Sequence, residues 1–484
     1  MGGHLIDDNN DRSSVLLLDL PVDIFIVILK HLDARELAVL GRVCRLLHEL
    51  VASTGWETYI LFRPRPSISL SHHLDAISPL RKARYIHLID RAWASHNSVI
   101  RPLSLNYYAV RDASPYLVAT PSMLIIAIAN ALHVYSFLNG GTDVRWRGSV
   151  ALHRGGVHDD ITGLGAPSQP GPGRGECVIV SLANGKLLRV RLSPNDEPLQ
   201  ATVTAHYSHP ATHITSLSTS RWESKAGLAL TTALGELVSL YNTRSPWIEP
   251  TRVTASTSTT VPGKKQARIW CSLVAQSDTL AITGSTQLSL YPILPTGLGT
   301  YGTTLAGPAK SSACYALAHP PGTAQNLVLS GWHDGIVRMY DLRTGAVELT
   351  MQDPWSDSAV YCVGAGGGSG MHVVAGYSNH GMIAIFDIRA PTSGYTAYAP
   401  FSSLSPPRPR NGLTQVSSLH VEGARIFGTT PHLPFVLDFG PDVTQNTYPF
   451  VKEKPDRMTP DGRSFYYTMG YDHISGHPES VQLI

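Results

Sequence analysis

Cysteine is scarce in this chain: five among 484 residues, Cys44, Cys177, Cys271, Cys314 and Cys362, an odd number with no CxxC pair. Such scatter builds neither a disulfide framework nor a thiolate zinc site, and it suits a reducing compartment. Charge is sparse as well. Asp, Glu, Lys and Arg make up 15% of residues with a net charge of +2, so no polyanion-attracting field forms and nucleic acid is not implied as a partner. No Asn-X-Ser/Thr sequon occurs. The longest apolar run, Met123 to Ala129, is far short of the ~20 residues a membrane helix needs. The opening MGGHLIDDNNDRSS lacks the basic-then-apolar order of a signal peptide and the serine spacing of a myristoylation site. These absences point to a soluble protein of the cytoplasm and/or nucleus, with no membrane partner.

What is plentiful is a repeated unit. From Pro115 onward the chain returns to an apolar strand, a turn rich in Gly, Asn or Asp, and a strand ending in an aromatic residue. Clear copies are LVLSGWHDGIVRMYDLRTG (Leu327 to Gly345) and VVAGYSNHGMIAIFDIRAP (Val373 to Pro391), with Asp334-Gly335 and Asn379-His380-Gly381 as hairpin turns. Weaker copies end at Tyr135, Arg191, Tyr241, Tyr291 and Asp438. The spacing is roughly 50 residues, longer than the ~40 to 45 of compact four-stranded units, and Gly/Pro- and Ser/Thr-rich insertions before Cys177 and Ala267 account for the excess. Near-continuous apolar strands such as LVLSG suit sheets covered on both faces by their neighbours. The units resemble WD repeats, with Tyr340-Asp341 and Phe386-Asp387 where that family prefers Trp-Asp. Of the family's hydrogen-bonded tetrad, Ser330 and Asp334 match, Tyr340 replaces Trp, and no His stands in the usual place.

Residues 15 to 56 read as helices. Pro21 suits a first turn and Asp23 complements the positive end of the dipole, while Ile24, Ile28, Leu29 and Leu32 recur at helical spacing. Asp33 with Glu36 three residues on reads as a capping box, followed by the stripe Leu37, Leu40, Cys44 and Leu47. Periodicity alone fits a small bundle whose stripes pack on one another. The order Leu20-Pro21, then Val43-Cys44-Arg45, then Trp56 resembles an F-box. That resemblance implies docking on the Skp-type adaptor, and through it the cullin, of a ubiquitin ligase. Leu20, Pro21, Ile24, Ile28, Leu29, Leu32, Leu37, Val43, Cys44 and Trp56 are the candidate adaptor-binding set.

The expected fold is mainly β: a seven-bladed WD-repeat-like β-propeller preceded by a small α-helical F-box domain. The boundaries read 1–14 as a disordered start, 15–62 as the box, 63–110 as a linker with a helix and a propeller-closing strand near Ile100 to Val110, 111–440 as the propeller, and 441–484 as a tail. The tail's aromatic cluster SFYYTMGY (Ser464 to Tyr471) reads as packed on the propeller, and Arg81, Lys82 and Arg84 as a solvated face.

Signals of chemistry are few. His206, His209 and His213, and His153 with His158, could gather a metal in principle, but nothing completes a ligand set, and both groups fall at the entry to an inner strand. GAGGGSG (Gly364 to Gly370) lacks the Gly-Lys-Ser/Thr ending that cradles phosphate, and no G-x-S-x-G elbow occurs. No cofactor, metal or catalytic residue is expected. The reading is a non-catalytic substrate receptor of an SCF-type ligase whose propeller binds an unidentified protein. The alternative is a non-ligase WD-repeat scaffold. In resembling proteins ligands sit over the channel mouth where the inner strands begin. Here those starts fall near Ile161, Ile214, Ile269, Cys314, Val360 and Val416, which makes His213, Arg268, Trp270, Tyr315 and Tyr361 the candidate substrate-binding residues.

Overall fold

The computed structural model describes residues 20–103, 114–152, 159–167, 175–207, 213–220, 227–233, 237–245, 249–254, 268–275, 278–299, 302–305, 307–308, 312–320, 324–399, 401–402, 415–431, 433–449, 466–476 and 478–481. They fall into two compact units, Met1–Pro64 with Ile77–His87, and Arg65–Ala76 with Leu88–Ile484.

The first unit holds α1 (Val22–Leu29), α2 (Ala34–Leu40), α3 (Arg45–Leu50), a π-helical turn (Val51–Gly55) and α4 (Trp56–Phe62). The Pro21 carbonyl accepts the amides of Ile24 and Phe25, starting α1 where a proline without N–H costs nothing. Asp33 and Glu36 close a reciprocal capping box, with both side-chain-to-amide bonds at 2.7 Å. Leu29, Leu37, Val51, Trp56 and Tyr59 form the core, joined by Ala83 and Ile86. Two details depart from the sequence reading. Phe25, which lies outside the stripe read from the period, points inward with Leu29, because the eight residues of α1 are apolar nearly all round and the period alone does not choose a face. The second stripe breaks at Gly41, so Cys44 stands exposed at the start of α3 instead of continuing α2.

The second unit is a seven-bladed propeller of antiparallel sheets. Its innermost strands are Tyr116–Ala119, Ile161–Gly165, Ile214–Thr219, Cys271–Ala275, Cys314–Ala318, Val360–Gly366 and Ser418–Val421. Each neighbours the next, and the last neighbours the first. The repeat positions Tyr135, Arg191, Tyr241, Tyr291, Tyr340, Phe386 and Asp438 all lie on the third strand of their blades. Side chains from adjacent blades fill the spaces between sheets, as Val178, Val180 and Leu188 of blade 2 do against Met123, Ile125 and Val134 of blade 1. The tetrad anticipated in blade 5 is replaced. Trp332 Nε1 donates to Ser330 Oγ at 2.8 Å, Ser330 donates to the Arg338 carbonyl, and Asp334 forms a bidentate pair with Arg338. Trp332, two residues beyond Ser330, was the residue sequence reasoning passed over.

Val99–Pro102 supplies the outer strand of blade 7, in register from Val99 opposite Asp438 to Pro102 opposite Phe435. That position being filled, the tail strand Tyr466–Asp472 pairs instead with Ala390–Tyr398 at the edge of blade 6. Asp353, fully buried, receives Thr396 Oγ1 at 2.5 Å and Tyr471 OH at 2.6 Å, and Thr396 in turn meets His473 Nε2 at 2.8 Å.

The stretch between box and propeller also belongs partly to the second unit. It contains a 3-10 turn (Ile68–Leu70), α5 (Ser71–Ala76) and the end of α6 (Pro79–Ala94). Trp93 is 1% exposed, stacks on Phe439 at 3.9 Å and donates its Nε1 to the Gly423 carbonyl at 2.9 Å. Its six-membered ring lies over the turn Gly367–Gly370, where a Cβ on Gly367 would come within 2.2 Å of the indole. The glycine-rich GAGGGSG thus makes room for a tryptophan rather than a phosphate. Beside it Ser69 donates its amide and hydroxyl to Glu422 at 3.0 and 2.5 Å, and Arg425 pairs with Asp438 at 2.8 Å, all fully buried.

Candidate functional site

Two surfaces are candidates for function. On the first unit, Val22, Ile24, Val27, Val39, Val43 and Leu46 are each between 46% and 66% exposed. Isolated exposed aliphatics are ordinary, but six between positions 22 and 46 in so small a unit leave much apolar surface uncovered. The candidate adaptor residues divide accordingly. Pro21, Ile24, Val43 and Cys44 are exposed, and Leu20, Ile28 and Leu32 are half-buried. Leu29, Leu37 and Trp56 are core residues that shape the unit from within.

The second surface lies on the propeller face where innermost strands begin. In an antiparallel four-stranded blade the starts of strands one and three share an end, so the turn between strands two and three joins this rim. Arg268, Trp270, Tyr315 and Tyr361, contributed by blades 4, 5 and 6, are brought together here. The Arg268 guanidinium carbon lies 4.2 Å from the centre of the Trp270 ring. Trp270 meets Tyr315 edge to face at 5.2 Å, and Tyr315 meets Tyr361 the same way at 5.2 Å. His333, from the hairpin turn of blade 5, closes on Tyr315 at 5.9 Å. The fifth candidate, His213, does not join the ladder; its Nδ1 is bonded to the Ala183 carbonyl at 3.1 Å in blade 2.

Sequence reasoning missed two members of this site. His333 follows Trp332 in the hairpin and carried no signal of its own. Tyr116 begins the innermost strand of blade 1, and burial pushes its hydroxyl up while the Arg268 charge acts against that shift. Burial likewise raises the Tyr315 hydroxyl, with Tyr361 adding to it, so both phenols at this mouth stay protonated and able to donate.

The anchors of Trp93 and Ser69 occupy the other end of the blades. The turn Gly367–Gly370 and the turn at Glu422 and Gly423 join first to second strands, and Asn139–Gly141 joins third to fourth. The rim is therefore left open by the segment that packs on the propeller.

Burial pushes the Cys271 and Cys362 thiols up, which disfavours the nucleophilic thiolate. Among the described residues no three His, Cys, Asp or Glu side chains gather as metal ligands, and His153, His158 and His209 lie outside them. No described helix is long and apolar enough to cross a membrane. Among curated proteins none matches the chain. Residues 17–60, the span that carries the exposed apolar helices, match the family model described as F-box-like. The chain thus carries an F-box-like domain followed by a seven-bladed β-propeller.

Proposed function

We propose that the protein is the substrate-recognition subunit of an SCF-type ubiquitin ligase. Its helical unit docks on the Skp-type adaptor and its propeller holds the protein to be ubiquitinated. The chain contributes no catalytic group. Its contribution to rate is proximity, since a bound target keeps its lysines near the charged conjugating enzyme and turns a bimolecular encounter into a local one. The observation that carries this reading is the apolar surface left uncovered inside the F-box-like match, with Ile24 and Val43 its candidate anchors. On the propeller, Arg268, Trp270, Tyr315 and Tyr361 are the residue types that dominate binding hot spots.

The test is capture from cells. Wild-type chain should co-purify with adaptor and cullin, and Ile24→Asp with Val43→Asp should remove both while the propeller stays folded. Adaptor recovered at wild-type yield from the double variant overturns the docking surface. If adaptor and cullin bind but no partner's half-life lengthens on depletion of the chain, the scaffold reading replaces the receptor reading.

A further inference from the structure

We propose that Cys271 and Cys314 form an oxidisable pair: a hydroperoxide converts the two thiols to a disulfide that ties the innermost strand of blade 4 to that of blade 5, next to Trp270 and Tyr315. The pair stands whether or not the rim holds a substrate.

The two sulfurs lie 3.7 Å apart, each on the first residue of an innermost strand, although 43 positions separate the cysteines in the chain. One hairpin end sets both. The Trp270 amide donates to the Gly284 carbonyl at 2.9 Å, and the Cys314 amide donates to the Ser285 carbonyl at 2.7 Å. Gly284 also keeps their common space open, because a Cβ there would stand 2.5 Å from Cys271 Sγ and 2.9 Å from Cys314 Sγ. Closing from 3.7 Å to the ~2.05 Å of a disulfide is a small movement. Blade 5 has the means to make it: its pairing shifts register between Cys314 and Ala316, a bulge that lets this strand end adjust while Cys271 stays in regular pairing.

Cys271 is the entry thiol, since it is 7% exposed and Cys314 is 0% exposed. Its sulfur, once deprotonated, attacks the distal oxygen of the hydroperoxide; the O–O bond breaks, alcohol or water leaves, and a sulfenic acid forms. The Cys314 sulfur then attacks the sulfenic sulfur, the S–S bond forms, and hydroxide leaves with the Cys314 proton as water. Two electrons pass from the sulfurs to the peroxide. Burial raises the Cys271 thiol and makes the first step slow, whereas a partner already at contact makes the second fast. Brief exposure to oxidant therefore leaves the pair reduced, and sustained exposure closes it. Cys362, buried as deeply, donates instead to the Val416 carbonyl at 3.1 Å and serves as the internal control. Because Trp270 and Tyr315 are the chain neighbours of the two cysteines and meet at 5.2 Å, closing the disulfide braces this part of the rim.

The experiment uses the full chain carrying Cys44→Ser, which removes the exposed thiol. It is held with excess tert-butyl hydroperoxide, quenched in acid, alkylated, digested and mapped by mass spectrometry. Peptides containing Cys271 and Cys314 should appear joined, two hydrogens lighter than their sum, while Cys362 is recovered alkylated. Dithiothreitol should restore both thiols. In the joined form the amides of Trp270 and Tyr315 should exchange hydrogen about tenfold more slowly than in the reduced form. Adding Cys314→Ser should halt the reaction at a sulfenic acid on Cys271, trapped by dimedone, with no joined peptide. Full alkylation of Cys271 and Cys314 after prolonged oxidation, or joining only once denaturant is present, overturns the pair, and the map of the Cys44→Ser chain decides this even if the second variant does not fold. A joined pair with unchanged exchange at Trp270 and Tyr315 overturns the bracing of the rim.

Discussion

Glu422 is 2% exposed and carries a carboxylate between Ser69 and His420. Burial alone would raise its pKa, but the His420 ring at 3.3 Å and the amide and hydroxyl of Ser69 outweigh burial and hold it below the usual glutamate range. The folded state therefore takes up this proton less readily than the unfolded chain. Its stabilisation is complete above the unfolded value of about 4.3 and is lost as pH falls through the lower folded value. Chemical denaturation of the propeller should show a midpoint that drops on acidification below about pH 4.3, and Glu422→Gln should flatten that drop while costing ~1 to 3 kcal/mol at neutral pH. A Gln variant with the wild-type acid slope would assign the pH dependence to other carboxylates. Nothing in the sequence marks Glu422, because its partner Ser69 lies 353 residues earlier and only the closed ring brings them together. Asp353 and His473 were hidden in the same way. The capping box at Asp33 and Glu36, by contrast, is made three residues apart and was legible at once.

At the level of elements, the same contrast separates the blades from their fastenings. The third strand of every blade was found by its closing residue, since strand, turn and strand are adjacent in the chain and repeat. The ladder was legible only in part: aromatics next to inner-strand starts flagged Trp270, Tyr315 and Tyr361, whereas His333 enters from a hairpin whose position depends on blade geometry. The glycine-rich turn Gly367–Gly370 was visible, but its purpose was not, because Trp93 arrives from far upstream. Val99–Pro102 and the end of α6 are elements the propeller takes from the N-terminal side. A truncation starting at Arg65 should keep a cooperative unfolding transition by circular dichroism. One starting at residue 104 loses the outer strand of blade 7, the Trp93 socket and the Ser69 bonds together, and should unfold at a markedly lower temperature or be recovered only as aggregate. Equal midpoints for the two would mean that the remaining strands of blade 7 suffice to close the ring.

For the molecule as a whole, the two units differ in surface. Among the described residues the small helical unit exposes eight large aliphatics, Val22, Ile24, Val27, Val39, Val43, Leu46, Leu61 and Leu80, while the far larger propeller unit exposes four, Leu138, Leu294, Val347 and Ile474. Full-length chain expressed alone should therefore self-associate with rising concentration, and co-expressed adaptor should suppress this, as read by light scattering after size-exclusion chromatography. Ile24→Asp with Val43→Asp should make the lone chain monodisperse, and a wild-type chain already monodisperse without adaptor would count against an uncovered docking surface. The closure of blade 7 has a further consequence, one of timing. Trp93 and Gly423 are 330 residues apart, and the strand Val99–Pro102 waits for a partner slightly more distant still. At ~5 to 20 residues per second, a ribosome needs on the order of tens of seconds to deliver those partners. Throughout that interval the nascent chain holds an indole and a strand whose partners do not yet exist, so the segment upstream of the first blade is the stretch most open to premature association until the last blade emerges.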